Sequence, residues 1–252
     1  MKIHFLRHAT SIIDINGFQI LVDPMLSPSG AMDAIAHTPN PRRNPLIDLP
    51  LKNEKLFDLI YSVDAILITH THSDHWDKAA QSLLPKGIEL FCQPEDEDLI
   101  NVAGFSAVQP IVSTFSRGDI EFIRTGGQHG TGDIGQRLGP VSGFILRSKD
   151  APCLYIAGDT IWCQEVEQAL EEHQPDIVMV NAGGARFLEG DAITMTASDV
   201  AQVCQTAPNA RIIAVHMEAI NHCELTRKEL RDYLENKDKQ AVIPEDGERL
   251  YF

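Results

Sequence analysis

The stretch Asp64-Ala65-Ile66-Leu67-Ile68-Thr69-His70-Thr71-His72-Ser73-Asp74-His75 decides how the rest of the chain is read. Its first half is a short apolar run bounded by polar residues, the pattern of a buried strand. Its second half places three imidazoles and a carboxylate within six positions. Alternate residues of an extended segment point to one side, so His70 and His72 can grip one ion together. Asp74 and His75 follow as the chain turns away and can face a second position. Mixed imidazole and carboxylate donors suit zinc, manganese or iron, with zinc–nitrogen bonds of about 2.0–2.1 Å. The competing reading is a polar loop entering a helix, capped by Asp74, with solvated histidines. Four ligand-type residues so close together weigh against it.

One loop cannot complete two metal sites, so partners are expected downstream, and three candidates sit at strand ends. His129 lies in TGGQHGTG (125–132), where glycines allow close backbone approach. Asp159 lies in LYIAGDT (154–160) and His216 in RIIAVHMEA (211–219), each directly after an apolar strand. Taken singly, these read as a glycine-rich turn, a helix cap and a core histidine. Their common placement after strands is what groups them with the first cluster.

Outward from the cluster, the first 23 residues read as β-structure: KIHFLR, SIIDI and FQILVD, with Asn16-Gly17 turning a hairpin between the last two. From Pro24 to about Pro50 the chain is rich in Pro and Asn with weak periodicity, too long for an ordinary connection. It reads as a lid inserted at about 24–57. After the histidine cluster come helices near 76–84 and 94–103, separated by a strand at IELFC (88–92). Strands are expected at 119–124, 141–147 and 153–157. Helix and strand then alternate: 163–173, DIVMV, 196–206 behind Thr194 or Thr196 as cap, RIIAV, and 226–236. Short strands AVI and RLYF close the chain. This order predicts an α/β fold with sheets inside and helices outside, in one continuous domain over 1–252.

THTHSDH, together with His129, Asp159 and His216 in order and approximate spacing, resembles the HxHxDH signature and ligand series of the metallo-β-lactamase superfamily. The resemblance spans nearly the whole chain. The opening RHATSIID…ILVDP is similar to the branch holding L-ascorbate 6-phosphate lactonase and the N-acyl-phosphatidylethanolamine phospholipase D-like enzymes, with Arg7 standing where that branch usually has Gly. The resemblance implies a four-layer αββα sandwich with the site at one edge of the two sheets. It implies two divalent ions, zinc first and Mn2+ or Fe2+ next. His70, His72 and His129 would hold one, Asp74, His75 and His216 the other, and Asp159 would bridge them. It also gives Asp74 a second role, accepting the proton of the attacking water. Two ions about 3.5–4 Å apart can bring a shared water toward neutral pKa and stabilise developing negative charge. His222 and His8 are candidates for protonating the leaving group, with metal-bound water as a rival. His8 and Asp23 are also expected behind the ligands, where hydrogen bonds orient them. Arg42 and Arg43 in the expected lid, and Arg186 in NAGGARF, are candidates for holding a substrate anion, since Arg offers a bidentate fork.

Composition narrows the class. Of 252 residues, 43% are hydrophobic, enough for a sizeable core. Acidic residues outnumber basic ones 36 to 21, a net charge of -15 that weighs against broad contact with a nucleic-acid backbone. No window approaches the roughly 18 apolar residues of a membrane span, and the N-terminus lacks a signal-peptide pattern. Five scattered cysteines without a CxxC pair fit a reduced, cytoplasmic setting. The expected function is metal-dependent hydrolysis of a small ester, lactone or phosphodiester. The alternatives are a nucleic-acid-processing metallo-nuclease and a non-catalytic metal-binding regulator on the same fold. The expected partner is a small molecule, and self-association stays open.

Overall fold

The computed structural model describes residues 1–51, 53–235 and 241–252. Among these, the strands form two sheets of seven. The first contains β1 (Lys2–Arg7), β2 (Thr10–Ile15), β3 (Phe18–Val22), β4 (Ala65–Ile68), β5 (Glu89–Cys92) and β6 (Val108–Pro110), with β14 (Arg249–Tyr251) on the outer edge of β1. The second runs β7 (Thr114–Arg117), β8 (Ile120–Thr125), β9 (Gly143–Ser148), β10 (Ala151–Ile156), β11 (Ile177–Asn181), β12 (Arg211–Val215) and β13 (Ala241–Val242).

Alternation along the strands sends side chains to two faces, and each face finds its own partner. Ala65 and Leu67 of β4 join Ile3, Phe5, Ile13, Ile20 and Val22 in a core shared with Phe122, Phe144, Ile156, Met179 and Val215 of the other sheet. Ile66 and Ile68 point the other way, onto α1 (Asn53–Ser62), α2 (Lys78–Leu83) and α3 (Glu97–Val102). On the far side, Val178, Val180, Ile212 and Ala214 pack on α5 (Gln164–His173), α6 (Ala197–Thr206) and α7 (Arg227–Leu234). The result is the expected αββα sandwich. Strands β4, β11 and β12 are covered on both faces and accordingly read as unbroken apolar runs.

The capping chemistry works as the sequence suggests. Thr196 and Thr226 each form a capping box with the residue three positions on, Asp199 and Glu229. Thr194 is buried instead, its hydroxyl accepting the Ala185 N–H. Asn16 and Gly17 both have positive φ, as a tight hairpin turn of this kind requires. Helix 226–236 is shorter than expected at both ends; α7 stops at Leu234, and residue 236 lies outside the described residues. Four elements add to the expected set: helix α1, strands β6 and β7, and helix α4 (Gly132–Leu138). The expected 24–57 insertion is divided, since α1 begins at Asn53 and residue 52 lies outside the described residues.

The irregular part of that insertion is pinned. Buried Arg7 donates from Nη1 to the Ile47 carbonyl and from Nη2 to the Met25 and Ser27 carbonyls, at 2.8–3.0 Å. Asn221 donates to the Ile35 and Asn40 carbonyls and to Thr38, and accepts from the Ile35 N–H and from Asn44. No described helix is long and apolar enough to cross a membrane.

Candidate metal centre

Strand direction explains why distant residues meet. β1 is antiparallel to β2, which is antiparallel to β3, and β4 runs parallel to β3. The chain therefore leaves β1, β3 and β4 at the same edge, delivering His8, Asp23 and the 69–75 loop there. In the second sheet β8, β10, β11 and β12 also share one direction. They deliver His129, Asp159, Asn181 and His216 to the facing edge. Ligand sites outside the carboxyl ends of strands are the general rule for such sheets.

Three overlapping groups bring ligand atoms within 4.8 Å of one another: His70, His72 and His129; His70, His75 and Asp159; and His8, Asp74, His75 and His216. Asp159 lies between the outer two. Its Oδ2 is 3.3 Å from His75 Nε2, 3.7 Å from His129 Nε2 and 3.9 Å from His70 Nε2, while Oδ1 is 3.2 Å from His216 Nε2.

Hydrogen bonds on the outer side of each imidazole orient the inner one. His75 Nδ1 donates to Asp23 Oδ2 at 2.9 Å, and His129 Nδ1 donates to the Ile193 carbonyl at 2.8 Å. Thr69 Oγ1 donates to Asp23, which leaves it able to accept from His70 Nδ1 at 3.2 Å. Behind His216 Nδ1 sits Cys223 Sγ, at 3.6 Å. On the inner side the ring nitrogens converge: His70 Nε2 is 2.9 Å from His72 Nδ1, and His75 Nε2 is 3.1 Å from His216 Nε2. That spacing suits two nitrogens bonded about 2.0–2.1 Å from one ion. The donor set therefore fits metal.

Electrostatics point the same way. Asp159 and Asp74 are pulled well below the usual carboxylate range: burial works against their charge, but His216 and His75 for Asp159, and His75 for Asp74, outweigh it. Burial likewise opposes charge on His75, and the carboxylates of Asp159, Asp23 and Asp74 overcome it and raise its pKa. His8, Asp23 and His216 all have positive φ, a strained conformation for non-glycine residues that clusters here, at the site.

Of the residues singled out from sequence, the structure brings together His70, His72, Asp74, His75, His129, Asp159 and His216, with His8 and Asp23 behind them. His8 Nε2 lies 3.1 Å from Asp74 Oδ2. His222 lines the adjoining cavity, with Ile35, Leu138, Phe187 and Ile193. It is buried, its Nδ1 has no hydrogen-bond partner, and burial pushes it down to about 4. Arg42, Arg43 and Arg186, expected to hold a substrate anion, do not line this cavity. Arg43 pairs with Asp33 and donates to the Gly30 carbonyl, and exposed Arg42 donates to Asn40. Arg186 pairs with Glu224 at 3.1 Å, while its neighbour Phe187 faces the cavity in its place. Trp76 packs on Phe105, and Glu218 pairs with Arg227.

Sequence reasoning missed Asn181, whose Nδ2 donates to Asp159 Oδ1 at 2.7 Å. Its signal was present: it ends an apolar strand, as the other candidates do. Thr71 was missed too. It donates to buried Asp96, which also accepts from Gln93, bracing the ligand loop.

Comparison with known proteins agrees with this geometry. Residues 2–216 match the family described as β-lactamase superfamily domain. The protein YddR of Bacillus subtilis (strain 168) is 35% identical over 257 residues, covering the whole of both chains. A metal-dependent hydrolase of Pyrococcus abyssi is 24% identical over 254 residues, 99% of each chain. Among solved structures, a possible metal-dependent hydrolase from Veillonella parvula superposes with a TM-score of 0.94 at 35% identity, over 99% of this chain and 98% of that one. An isothiocyanate hydrolase from Delia radicum gut bacteria superposes with a TM-score of 0.93 at 36% identity, over 100% and 99%. With its fold, its converging donors and these relatives in agreement, the chain belongs to the metallo-β-lactamase superfamily and is a metal-dependent hydrolase.

Proposed function

We propose that the chain hydrolyses a small, uncharged substrate at an electrophilic carbon, with isothiocyanates as the leading class. One observation carries this. The cavity over Asp74 and Asp159 holds only 190 Å³, its apolar wall is Ile35, Leu138, Phe187 and Ile193, and no Lys or Arg among the described residues lines it. A phosphodiester would bring a charge that only the metal could meet. The likeness to the isothiocyanate hydrolase, at 36% identity over the whole chain, supports the same choice. A carbonyl ester or lactone is attacked in the same way and is the second reading, favoured by the same neutral wall. A nuclease fits poorly, given the net charge of -15.

We assign His70, His72 and His129 to one divalent ion, Asp74, His75 and His216 to a second, and Asp159 to both, with zinc as the expected metal. Bound there, such ions lower the pKa of water toward neutrality and stabilise negative charge on the attacked group. Asp74 accepts the water's proton, and His8 holds Asp74 in place from behind. Water adds to the central carbon of R–N=C=S to give a thiocarbamic acid, which separates into an amine and carbonyl sulfide. His222, neutral because it is buried, offers the departing nitrogen a hydrogen bond. The apolar wall keeps bulk water from the carbon. The pinned 24–50 segment, through Ile35, serves as a fixed part of that wall, in one continuous domain. No disulfide joins cysteines among the described residues, which supports a reducing, cytoplasmic setting.

The test is purified protein loaded in turn with Zn2+, Mn2+ and Fe2+, assayed for amine release from isothiocyanates and against lactones and bis(p-nitrophenyl) phosphate. Turnover of isothiocyanate or lactone, lost in Asp74→Ala, is expected. Faster turnover of the phosphodiester would refute the neutral-substrate reading, and unchanged turnover in Asp74→Ala would remove Asp74 from the mechanism.

A further inference from the structure

The 190 Å³ cavity is smaller than the 300–1,000 Å³ usual for a small-molecule site, so the rest of any substrate must lie beyond it. A second hollow, of 500 Å³, adjoins it, and the two share Leu138 and Phe187. We infer that this hollow is a binding site for the non-reacting part of the substrate and takes an uncharged alkyl or aryl group. The inference rests on the neutral-electrophile reading above and adds the part of the molecule that reading leaves unspecified.

The hollow is built rather than incidental. Its inner wall is Ile134 and Leu138 of α4 facing Phe187 and Leu188. Phe187 stacks its ring toward that of His222, at 6.5 Å and 22°, and so spans both spaces. Leu188 is 66% exposed, a large apolar side chain kept in water beside a catalytic cavity. Its backbone N–H donates to the His37 carbonyl at 2.8 Å, which ties this wall to the 24–50 segment. Gly190 has φ +96°, a backbone conformation that favours glycine, and a Cβ there would lie 2.5 Å from Ile134 Cδ1, so glycine suits this close approach of the loop to α4. At the mouth, Arg137 and Glu189 carry opposite charges, leaving no net charge to select an ionic substituent.

Two measurements on the metal-loaded protein test this. The first compares kcat/KM for methyl through hexyl isothiocyanate. Wild type is expected to gain up to about fourfold per added methylene until the hollow is filled. The hexyl-to-methyl ratio should fall at least about tenfold in Leu188→Asp and Ile134→Asp. Leu188 is exposed, so its variant tests the wall without disturbing the core. The second measures binding of the neutral fluorophore N-phenyl-1-naphthylamine, which needs no turnover; its Kd should rise at least about tenfold in both variants. If no isothiocyanate of any length is hydrolysed, the substrate class is wrong and the fluorophore alone judges the hollow. Turnover indifferent to chain length, or fluorophore binding that is absent or equal in wild type and variants, overturns the inference.

Discussion

Asp23 holds two parts of the ligand loop with one carboxylate: Oδ1 accepts the Thr69 N–H at 2.8 Å, and Oδ2 accepts both Thr69 Oγ1 and His75 Nδ1. Asp23→Asn keeps the volume but gives one of those donors an N–H to face. Loss of such an orienting partner typically costs 10–100-fold in metal affinity, so a chelator competition should show metal released about that much more readily. Unchanged retention would mean His75 is oriented without it. His222 makes a separate prediction. Burial lowers it to about 4 from 6.5, so between those values the unfolded chain takes up a proton that the folded chain refuses. Its contribution to stability therefore falls as pH drops through that window, by up to about 3 kcal/mol. His8, His70 and His129 are also lowered by burial and share this acid sensitivity, so the informative quantity is the difference between proteins. Urea midpoints from pH 7 to pH 4 should decline less steeply in His222→Asn than in wild type. Parallel declines would show that His222 is protonated freely in the folded state.

At the scale of elements, the 24–50 segment depends on a residue from elsewhere. Arg7 is fully buried, and burial lowers its pKa to about 10, leaving it charged at neutral pH. Its guanidinium answers three carbonyls that no helix or strand satisfies. Arg7→Met would leave them without that donor, at about 1–3 kcal/mol for each that stays dry. A loss of about 2–5 kcal/mol in urea unfolding is expected, partly restored in Arg7→Lys. A loss below about 0.5 kcal/mol would show that water replaces the guanidinium. The same segment marks where sequence stopped being legible. The donor-bearing strands could be read because each is an apolar run ending on a polar residue. Helix α4 has two glycines and no buried residue, and β7 is largely exposed, so neither shows an apolar period. Helix α1 carries Leu56 and Ile60 on its buried side, but it follows directly on the Pro-rich stretch and merges with it in the sequence. The contacts made by Arg7 and Asn181 join residues 18 to 40 positions apart and exist only once the strands have paired. Arg42 and Arg43 are engaged locally for a related reason: Arg43 meets Asp33 and the carbonyls of Gly30 and Ala31, and Arg42 meets Asn40.

Across the whole molecule, the donors divide between the two sheets. His70, His72, Asp74 and His75 leave the first, and His129, Asp159 and His216 leave the second. Ions held by this set would clamp the open edge of the sandwich, whose two sheets are otherwise joined by the apolar core between them. Metal that binds only the folded chain stabilises it in proportion to its saturation, by about 4 kcal/mol for each ion at a thousand times its Kd. Removing metal with a strong chelator should therefore lower the thermal midpoint well beyond the shift seen for a surface substitution. Because the apolar core between the sheets remains when the ions are removed, the stripped protein should still unfold in one transition. Two separated transitions would mean that the sheets are coupled mainly through the ions. Asp159→Asn tests the clamp at its centre, since Asp159 faces histidines of both sheets. In that variant the chelator-dependent part of the midpoint should shrink. A full chelator effect in Asp159→Asn would place the ions elsewhere than between the sheets.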